Sequence, residues 1–276
     1  MSVGLYELIK KKEITSGEID LFISKNSKLL DSQTLERLDR WKKEIEFWEE
    51  SAEIYKYAAM GLPHRRLVRA MEELVDPHSG EVWLDLGCGP APMSKVIWEK
   101  SGRTLKKIVG LDLVLEPARK MEKEIPVLEL KYGNMGEHLD FPDKTFDGVI
   151  SNIAIPYTIE YEGIPGKEGI KRLFKEIARI LKPGGQLVWS TPKRNMHLYV
   201  CVFTSIQDMI RHPGLILIAN KFLKYVGTLK KKGKEGLYTY LSIEEWSELL
   251  NETGFVVDSW RRVFSHQALV NKSFLS

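Results

Sequence analysis

The sequence predicts an α/β fold, a doubly wound sheet of seven mostly parallel strands that carries a helical appendage at its N-terminus. Two observations indicate this class. From Glu81 onward, short apolar runs of strand length alternate with segments of helical periodicity, which is typical of a parallel sheet. Before that point, residues 19–59 contain no glycine or proline, and their apolar side chains recur at helical spacing. With 276 residues, the chain can form one catalytic domain with additions.

The composition limits the classes of function. A net charge of +3, with 29% charged residues, gives no general indication of nucleic-acid binding. Cys88 and Cys201 are too few and too far apart for a disulfide framework or a metal cluster, and we predict no metal site. The N-terminus has no basic stretch followed by an apolar one, and no apolar run reaches the length of a membrane span. We therefore expect a cytoplasmic protein.

Residues 1–75 are predicted to form a helical cap on a domain that occupies residues 76–276. Thr15 and Glu18 have the spacing of a capping box ahead of the first helix. A longer helix should span residues 32–60. Its apolar residues include Leu35, Leu38, Trp41, Ile45, Trp48, Ile54 and Tyr55. Side chains at this spacing form a stripe, which we expect to face the main domain.

A third helix should follow the break at residues 61–63. Its first turn contains His64 beside Arg65 and Arg66. With these charged neighbours, we expect His64 on the surface rather than in a catalytic site.

The sheet should begin at residues 82–92, V-W-L-D-L-G-C-G-P-A-P, which predict a strand, a tight turn and a helix. Gly87 and Gly89 would let the backbone come close to a ligand at the carboxyl end of the strand. Pro92 occupies the third small position of a dinucleotide fingerprint, so the match to a nicotinamide site is poor. Asp85 would repel a phosphate but attract the ammonium and sulfonium of S-adenosylmethionine, by about 4 kcal/mol per pair at a surface-like dielectric. The turn suits this cofactor, although the turn taken alone leaves a plain strand–turn–helix equally open.

The next two strands add polar residues at their carboxyl ends. Residues 107–112 should form the second strand, and its last residue, Asp112, could accept two hydrogen bonds from ribose hydroxyls. The third strand, residues 126–131, leads to Asn134 and Met135, where an amide side chain and a backbone N–H could meet the adenine edge. A nucleoside ligand at this edge of the sheet is therefore expected.

The remaining elements complete the alternating pattern. They are a fourth strand at residues 148–152, a helix at 169–181, a fifth strand at 186–190, a helix from Ser242 to Gly254 and two final strands at 255–258 and 268–271. Ser242 and Glu245 form a second predicted capping box. Seven strands are expected in total.

Five motifs follow one another along the chain. They are V-W-L-D-L-G-C-G-P-A-P (82–92), V-G-L-D-L (109–113), G-N-M (133–135), F-P-D-K-T-F-D-G-V-I-S-N (141–152) and L-K-P-G-G-Q-L (181–187). In this order and spacing they resemble the class I S-adenosylmethionine-dependent methyltransferases of the type-11 kind, the group that includes quinone-biosynthesis methyltransferases. The resemblance implies a Rossmann-like fold, methyl transfer as the activity and S-adenosylmethionine as the cofactor.

The resemblance also implies the residues that hold the cofactor. They are Tyr55, Asp85, Gly87, Cys88, Gly89, Asp112, Leu113, Asn134, Met135 and Asn152. In this assignment the glycine turn and Asp85 hold the methionine part, Asp112 holds the ribose, and Tyr55 closes over the cofactor. Asn134 stands where relatives often have Asp, although its amide oxygen can still accept from the adenine amine. After Asn152 the chain lacks the N-P-P-Y run of enzymes that methylate base amines, which disfavours a nucleic-acid amine as substrate.

Residues 193–240 form an insertion that the resemblance explains least. Residues 196–203 and 215–219 are strongly apolar, and lysines follow them as far as Lys234. An insertion at this point would lie over the carboxyl edge of the sheet as a substrate lid. Its apolar content and lysine fringe could rest on the inner, anionic face of a membrane as a peripheral contact. The alternative is a pair of helices packed on the domain with a solvated lysine loop.

Methyl transfer from a sulfonium is an in-line displacement, so the enzyme must position the acceptor and remove its proton where needed. Candidate bases are Tyr157, Glu160, His197, Tyr238 and His266, of which His197 and Tyr157 are our predicted catalytic residues. The apolar lid favours a small-molecule or lipid-like acceptor, such as a prenylated ring. Two alternatives remain open: an RNA or protein acceptor docked on basic patches, and a non-catalytic cofactor-binding scaffold.

Overall fold

The computed structural model describes residues 14–60, 62–194, 214–263 and 267–276. Its helices are α1 (Ser16–Asn26), α2 (Ser32–Met60), α3 (Leu62–Leu74), α4 (Pro92–Lys100), α5 (Arg119–Glu124), α6 (Gly166–Ile180), α7 (Gly214–Lys234) and α8 (Ile243–Glu252). Its strands are β1 (Val82–Leu86), β2 (Lys107–Asp112), β3 (Leu128–Tyr132), β4 (Phe146–Asn152), β5 (Glu160–Tyr161), β6 (Ile164–Pro165), β7 (Leu181–Pro192), β8 (Phe255–Val263) and β9 (Ala268–Leu275). Short 3₁₀ turns cover Glu116–Ala118 and Ile155–Tyr157.

Seven strands form one sheet in the order β3-β2-β1-β4-β7-β9-β8. The first five of these strands are parallel, and β9 runs antiparallel between β7 and β8. The predicted doubly wound, mostly parallel sheet of seven strands is confirmed. Asp85 on β1 lies opposite Gly110 on β2 and Ile150 on β4. The ends of β1, β2 and β4 therefore lie side by side at one edge of the sheet.

Helices cover both faces of the sheet, and each face has its own apolar core. On one face, α6 and α8 bury Phe174 and Trp246 against Trp189 of β7. On the other face, α3 and α4 bury residues such as Met71 and Ile97 in a core that includes Trp83 of β1. Because the central strands are covered on both sides, they are apolar nearly throughout, which is why they were recognisable in the sequence.

The N-terminal helices pack over the carboxyl edge of the sheet. The capping box of α1 is confirmed: Thr15 Oγ1 accepts from the Glu18 amide at 3.3 Å, and Glu18 Oε2 accepts from the Thr15 amide at 2.9 Å. On α2, Leu38 and Ile45 are fully buried in a cluster to which Leu113 is packed, just after β2. The α2 stripe thus faces the sheet, as its spacing predicted.

Five strands, β3, β4, β7, β8 and β9, differ from the predicted ranges, and β4, β8 and β9 do so only by being longer. The third begins at Leu128 rather than Pro126, since proline has no N–H for the ladder. The strand β7 is longer than predicted and starts at Leu181, which pairs with Phe146 ahead of an irregularity in the β4–β7 register. The L-K-P-G-G segment therefore belongs to β7, in which it forms an irregular stretch. Contrary to the prediction, it does not separate the preceding helix from the strand. No helix among the described residues is long and apolar enough to cross a membrane.

Replacing Gly148 with alanine should destabilise the sheet. An added Cβ would lie 2.4–2.5 Å from three ring atoms of the fully buried Trp83. Overpacking of this kind costs about 1–3 kcal/mol of unfolding free energy, which urea denaturation can measure. Gly227→Ala in α7 is the matched control, because a Cβ there meets nothing within 4 Å. We expect Gly227→Ala to be neutral or slightly stabilising, and equal stability of the two variants would contradict the prediction.

Candidate active site

A cleft that is partly open to solvent lies at the carboxyl edge of the sheet. Its floor is formed by the ends of β1, β2 and β4 and the loops that follow them, while α2 and Tyr225 of α7 cover it. The predicted site residues that line it are Tyr55, Gly87, Cys88, Gly89, Asp112, Leu113, Asn134, Met135, Asn152 and Tyr157. The fold therefore brings together nearly all of the residues that the motifs indicated.

The glycine turn after β1 has the geometry of a ligand cradle. Gly87 and Gly89 have φ angles of 71° and 50°, in the left-handed region that favours glycine. A Cβ on Gly87 would lie 2.3 Å from the Cβ of Ala154, so only glycine allows the loop after β4 to pack there. A Cβ on Gly89 would meet no protein atom within 4 Å. The backbone at Gly89 thus faces open space that a cofactor can fill.

Asp112 joins this turn to the end of β2. Its Oδ2 accepts from the Gly89 amide at 2.8 Å, and its Oδ1 accepts from the Val114 amide at 3.0 Å. Burial raises the pKa of this carboxyl group, and the two backbone hydrogen bonds oppose that shift. Each oxygen keeps a second lone pair for a hydroxyl donor. The arrangement fits the ribose of a nucleoside cofactor.

Asp85 differs from the other predicted cofactor residues because it does not line the cleft. Its side chain is only 1% exposed, and Oδ2 accepts from the Ser94 amide at 2.9 Å and the Ser94 hydroxyl at 2.7 Å. The carboxylate thus holds the first turn of α4 behind the glycine turn. Burial raises its pKa to about 7. Direct contact between Asp85 and the cofactor ammonium stays a prediction.

Asn134 and Asn152 use their side-chain oxygens within the protein. Asn134 Oδ1 accepts from the Gly136 amide at 2.9 Å, so the adenine amine would have to share that oxygen. Asn152 Oδ1 accepts from the Ser190 hydroxyl at 2.9 Å. Both side chains are held in place before any ligand binds.

His64 is not the surface residue that we expected from its sequence neighbours. Its Nε2 lies 2.9 Å from the Tyr55 hydroxyl and 3.2 Å from Asn152 Nδ2, and both of these partners line the cleft. The cause is tertiary, because the first turn of α3 lies against the end of β4. Asn152 is 88 positions away from His64, and no local pattern links them.

The candidate bases are in different environments. Tyr157 lines the cleft beside Trp48 and Tyr238, with ring centroids 5.5 and 4.9 Å away, and burial raises the pKa of its phenol well above the usual range. Glu160 accepts from Arg37 at 2.8 Å and from Arg40 at 2.9 Å. Tyr238 donates to Glu44 at 2.9 Å. His197 and His266 lie outside the described residues.

Among Asp, Glu, Lys and Arg, the residues that line the cleft are mostly acidic. They are Glu44, Asp112, Glu137 and Glu160, against Arg37 alone among the described residues. Arg37 is engaged by Glu160 and, at 2.8 Å, by Glu137. Burial raises the pKa of Glu137 to about 7, although Arg37 opposes the shift. The cleft is suited to a cationic cofactor, and it disfavours phosphates. Across the described ranges, no three His, Cys, Asp or Glu side chains are grouped to hold a metal ion.

Comparisons with known proteins show similarity to methyltransferases. Residues 84–189 match the family model of a methyltransferase domain. The chain is 28% identical to the demethylmenaquinone methyltransferase of Bacillus licheniformis over 199 residues, which are 69% of this chain and 77% of that protein. It is also 28% identical to the demethylmenaquinone methyltransferase of Tropheryma whipplei over 211 residues, which are 71% of this chain and 74% of that protein.

Solved structures share the fold. One is a chain from the complex between the Haloferax volcanii Trm112 methyltransferase activator and a methyltransferase, with a TM-score of 0.58, 17% identity, and coverage of 83% of this chain and 97% of that one. Another is an S-adenosylmethionine-dependent methyltransferase from Aquifex aeolicus, with a TM-score of 0.54, 13% identity, and coverage of 80% and 98%.

Replacing Asp85 with asparagine should change how stability depends on pH. The folded-state pKa of about 7 lies above the ordinary value of 3.8, so the folded wild type binds more protons than the unfolded chain between these values. Its unfolding free energy should therefore fall as pH rises through this range, by at most about 4 kcal/mol from this group. The Asp85→Asn variant lacks this contribution.

Urea denaturation at pH 5 and pH 8 measures the effect. At each pH, the unfolding free energy of the wild type is subtracted from that of the variant. This difference should be more positive at pH 8 than at pH 5. A difference that is the same at both pH values would contradict the assignment of a raised pKa to Asp85.

Proposed function

Because the chain is a class I S-adenosylmethionine-dependent methyltransferase, we propose that it methylates a small, apolar acceptor of the quinone-like or lipid-like kind. When bound, the cofactor supplies an electrophilic methyl group on a positively charged sulfur. The glycine turn would hold its methionine part and Asp112 its ribose, with Asn134 and Met135 at the adenine. The acidic lining would attract its positive charges.

The aromatic half of the cleft is the observation that carries the acceptor proposal. Trp48, Tyr157 and Tyr225 line the cleft, and Tyr225 stacks on Phe47 with ring centroids 5.7 Å apart. The ring of Tyr240 packs edge-on against that of Tyr157, with ring centroids 6.3 Å apart. A flat apolar ring can pack against these faces, since aromatic pairs prefer offset-stacked or edge-to-face contacts at such distances. This wall would exclude water and hold the acceptor in line with the methyl group.

Charge argues against a phosphate-bearing acceptor. The cationic side chain in the described lining is Arg37, and two carboxylates already engage it. An RNA phosphate would therefore have to compete with Glu137 and Glu160 for Arg37. The name of the curated relatives, demethylmenaquinone methyltransferase, supports a quinone-like ring instead.

Transfer of a labelled methyl group from S-adenosylmethionine into cell extract tests the proposal. After separation into lipid, small-molecule, RNA and protein pools, we expect the label in the organic phase. Trp48→Ala removes one wall of the proposed pocket and should lower this incorporation at least about tenfold, because packing of the acceptor is lost. Binding of S-adenosylhomocysteine, measured by calorimetry, should remain.

Other distributions would overturn the proposal. Label in RNA or protein would identify a macromolecular acceptor. Cofactor binding without label in any pool would favour a non-catalytic scaffold.

The exposed face of α7 supports peripheral contact with an anionic membrane, where a lipid-like acceptor would be found. Tyr225, Val226 and Leu229 on the opposite face are buried against the rest of the protein. The exposed lysines of α7 are Lys221, Lys224, Lys230, Lys231 and Lys234. Within the described ranges, Lys231 alone of these pairs with a carboxylate, that of Glu235 at 3.8 Å. Each lysine near anionic headgroups contributes about 1 kcal/mol.

Vesicle flotation measures this contact. The wild type should bind vesicles that contain anionic lipid at low salt, and changing Lys224, Lys230 and Lys234 to glutamine should lower the affinity at least about tenfold. The matched control changes Lys95, Lys106 and Lys120, which are also exposed, and should bind as the wild type does. Equal losses in both triple variants, or no binding by the wild type, would contradict a specific α7 contact.

A further inference from the structure

A chain of hydrogen bonds runs from the loop after β4 to the rim of the cleft. The Ile153 amide donates to Ser190 Oγ at 2.9 Å, and the Ser190 hydroxyl is itself a donor. Asn152 Oδ1 accepts that proton, again at 2.9 Å. Ser190 and Asn152 are 1% and 8% exposed, so these bonds are shielded from water. The hydrogen bond from Ser190 therefore orients the Asn152 amide with its oxygen towards Ser190.

This orientation determines the tautomer of His64. With Oδ1 facing Ser190, the amide nitrogen of Asn152 faces His64 Nε2 at 3.2 Å. An amide nitrogen only donates, so Nε2 is an unprotonated acceptor and the ring proton is on Nδ1. The Tyr55 hydroxyl, 2.9 Å from the same nitrogen, then donates to it as well. The ring of Tyr55 meets that of His64 edge-on, with centroids 5.4 Å apart.

Tyr55 lines the cleft, while His64 lies behind it and reaches the cleft through the Tyr55 hydroxyl. We propose that Tyr55 and His64 form a proton relay that removes a proton from the acceptor during methyl transfer. Tyr55 contacts the acceptor and is the catalytic residue, whereas His64 is a positioning residue that takes up the proton through Tyr55. This inference rests on the proposed methyltransferase function.

The proton balance of the step is as follows for an acceptor with a hydroxyl or an acidic C–H. The acceptor proton passes to Tyr55 Oη as the Tyr55 proton passes to His64 Nε2. The electron pair freed on the acceptor atom forms its bond to the methyl carbon, and the electron pair of the broken carbon–sulfur bond stays on sulfur. Tyr55 ends neutral and His64 ends as a cation. The weaker contact from Asn152 Nδ2 to Nε2 is lost at that point.

The surroundings of Tyr55 favour transfer of its proton to His64 during the reaction over a phenolate that is already present before it. Burial and the carboxylates of Asp85 and Asp112 raise the pKa of the Tyr55 phenol, so a free phenolate is costly. The ring of His64 is half-buried, which leaves a route for the proton to solvent after turnover.

The first test observes the tautomer without turnover. Among the six histidines of ¹⁵N-labelled protein, the His64 signals are assigned from their loss in His64→Gln. We expect a neutral ring with the proton on Nδ1, and we expect the Nε2 shift to move in Tyr55→Phe, which removes the hydroxyl donor. A proton on Nε2, or no effect of Tyr55→Phe, would overturn the relay geometry even if the acceptor proposal failed.

The second test measures the rate at which the labelled methyl group of S-adenosylmethionine, at saturating cofactor, is transferred into the organic phase of cell extract. Tyr55→Phe keeps the ring, so S-adenosylhomocysteine affinity should stay within about threefold while the rate falls about 10²–10⁴-fold. His64→Gln should fall by a similar factor, and His78→Gln, an exposed histidine ahead of β1, should not. Wild-type turnover with unchanged rates in the first two variants would overturn the relay. Absence of wild-type turnover would instead overturn the proposed function.

Discussion

The hydrogen bond from the Gly89 amide to the Asp112 carboxylate is the contact on which the site depends. It joins the turn after β1 to the end of β2, two segments that the parallel ladder brings to the same edge of the sheet. The left-handed Gly87 and Gly89 make the bond possible, because a side chain at Gly87 would collide with Ala154. The remaining lone pairs of Asp112 point to the same cleft that the glycine turn opens.

A second layer of contacts sets the chemical character of the cleft. Helix α2 covers it, held by the ion pairs of Arg37 with Glu137 and Glu160. At the aromatic end, Lys232 of α7 binds Glu44 of α2 and lies over the Phe47 ring at 4.2 Å. The glycine turn and Asp112 thus belong to the floor of the cleft, whereas Trp48 and Tyr225 belong to the helices that cover it. Such a division suits a cationic donor on one side and an apolar ring on the other.

Much of the cofactor half could be predicted because its signals are local. The motif around Gly87 and Gly89 combines a strand pattern with residues that permit positive φ, and Asp112 ends the next apolar run. Asp85 shows the limit of such patterns. Its spacing indicated a cofactor contact. In the fold, however, its carboxylate accepts hydrogen bonds from the amide and the hydroxyl of Ser94. His64 shows the same limit, since its partner Asn152 lies on a distant strand.

The sequence by itself determined the order of strands and helices, the glycine turn and the acidic strand ends, because these follow from periodicity and from the conformations that glycine and proline allow. The tertiary structure alone decided which side chains meet across the cleft. The Tyr55–His64–Asn152 contacts join α2, α3 and β4, and the stacked rings of Phe47 and Tyr225 join α2 to α7. Contacts of this kind arise from packing between elements, which local chain chemistry does not encode.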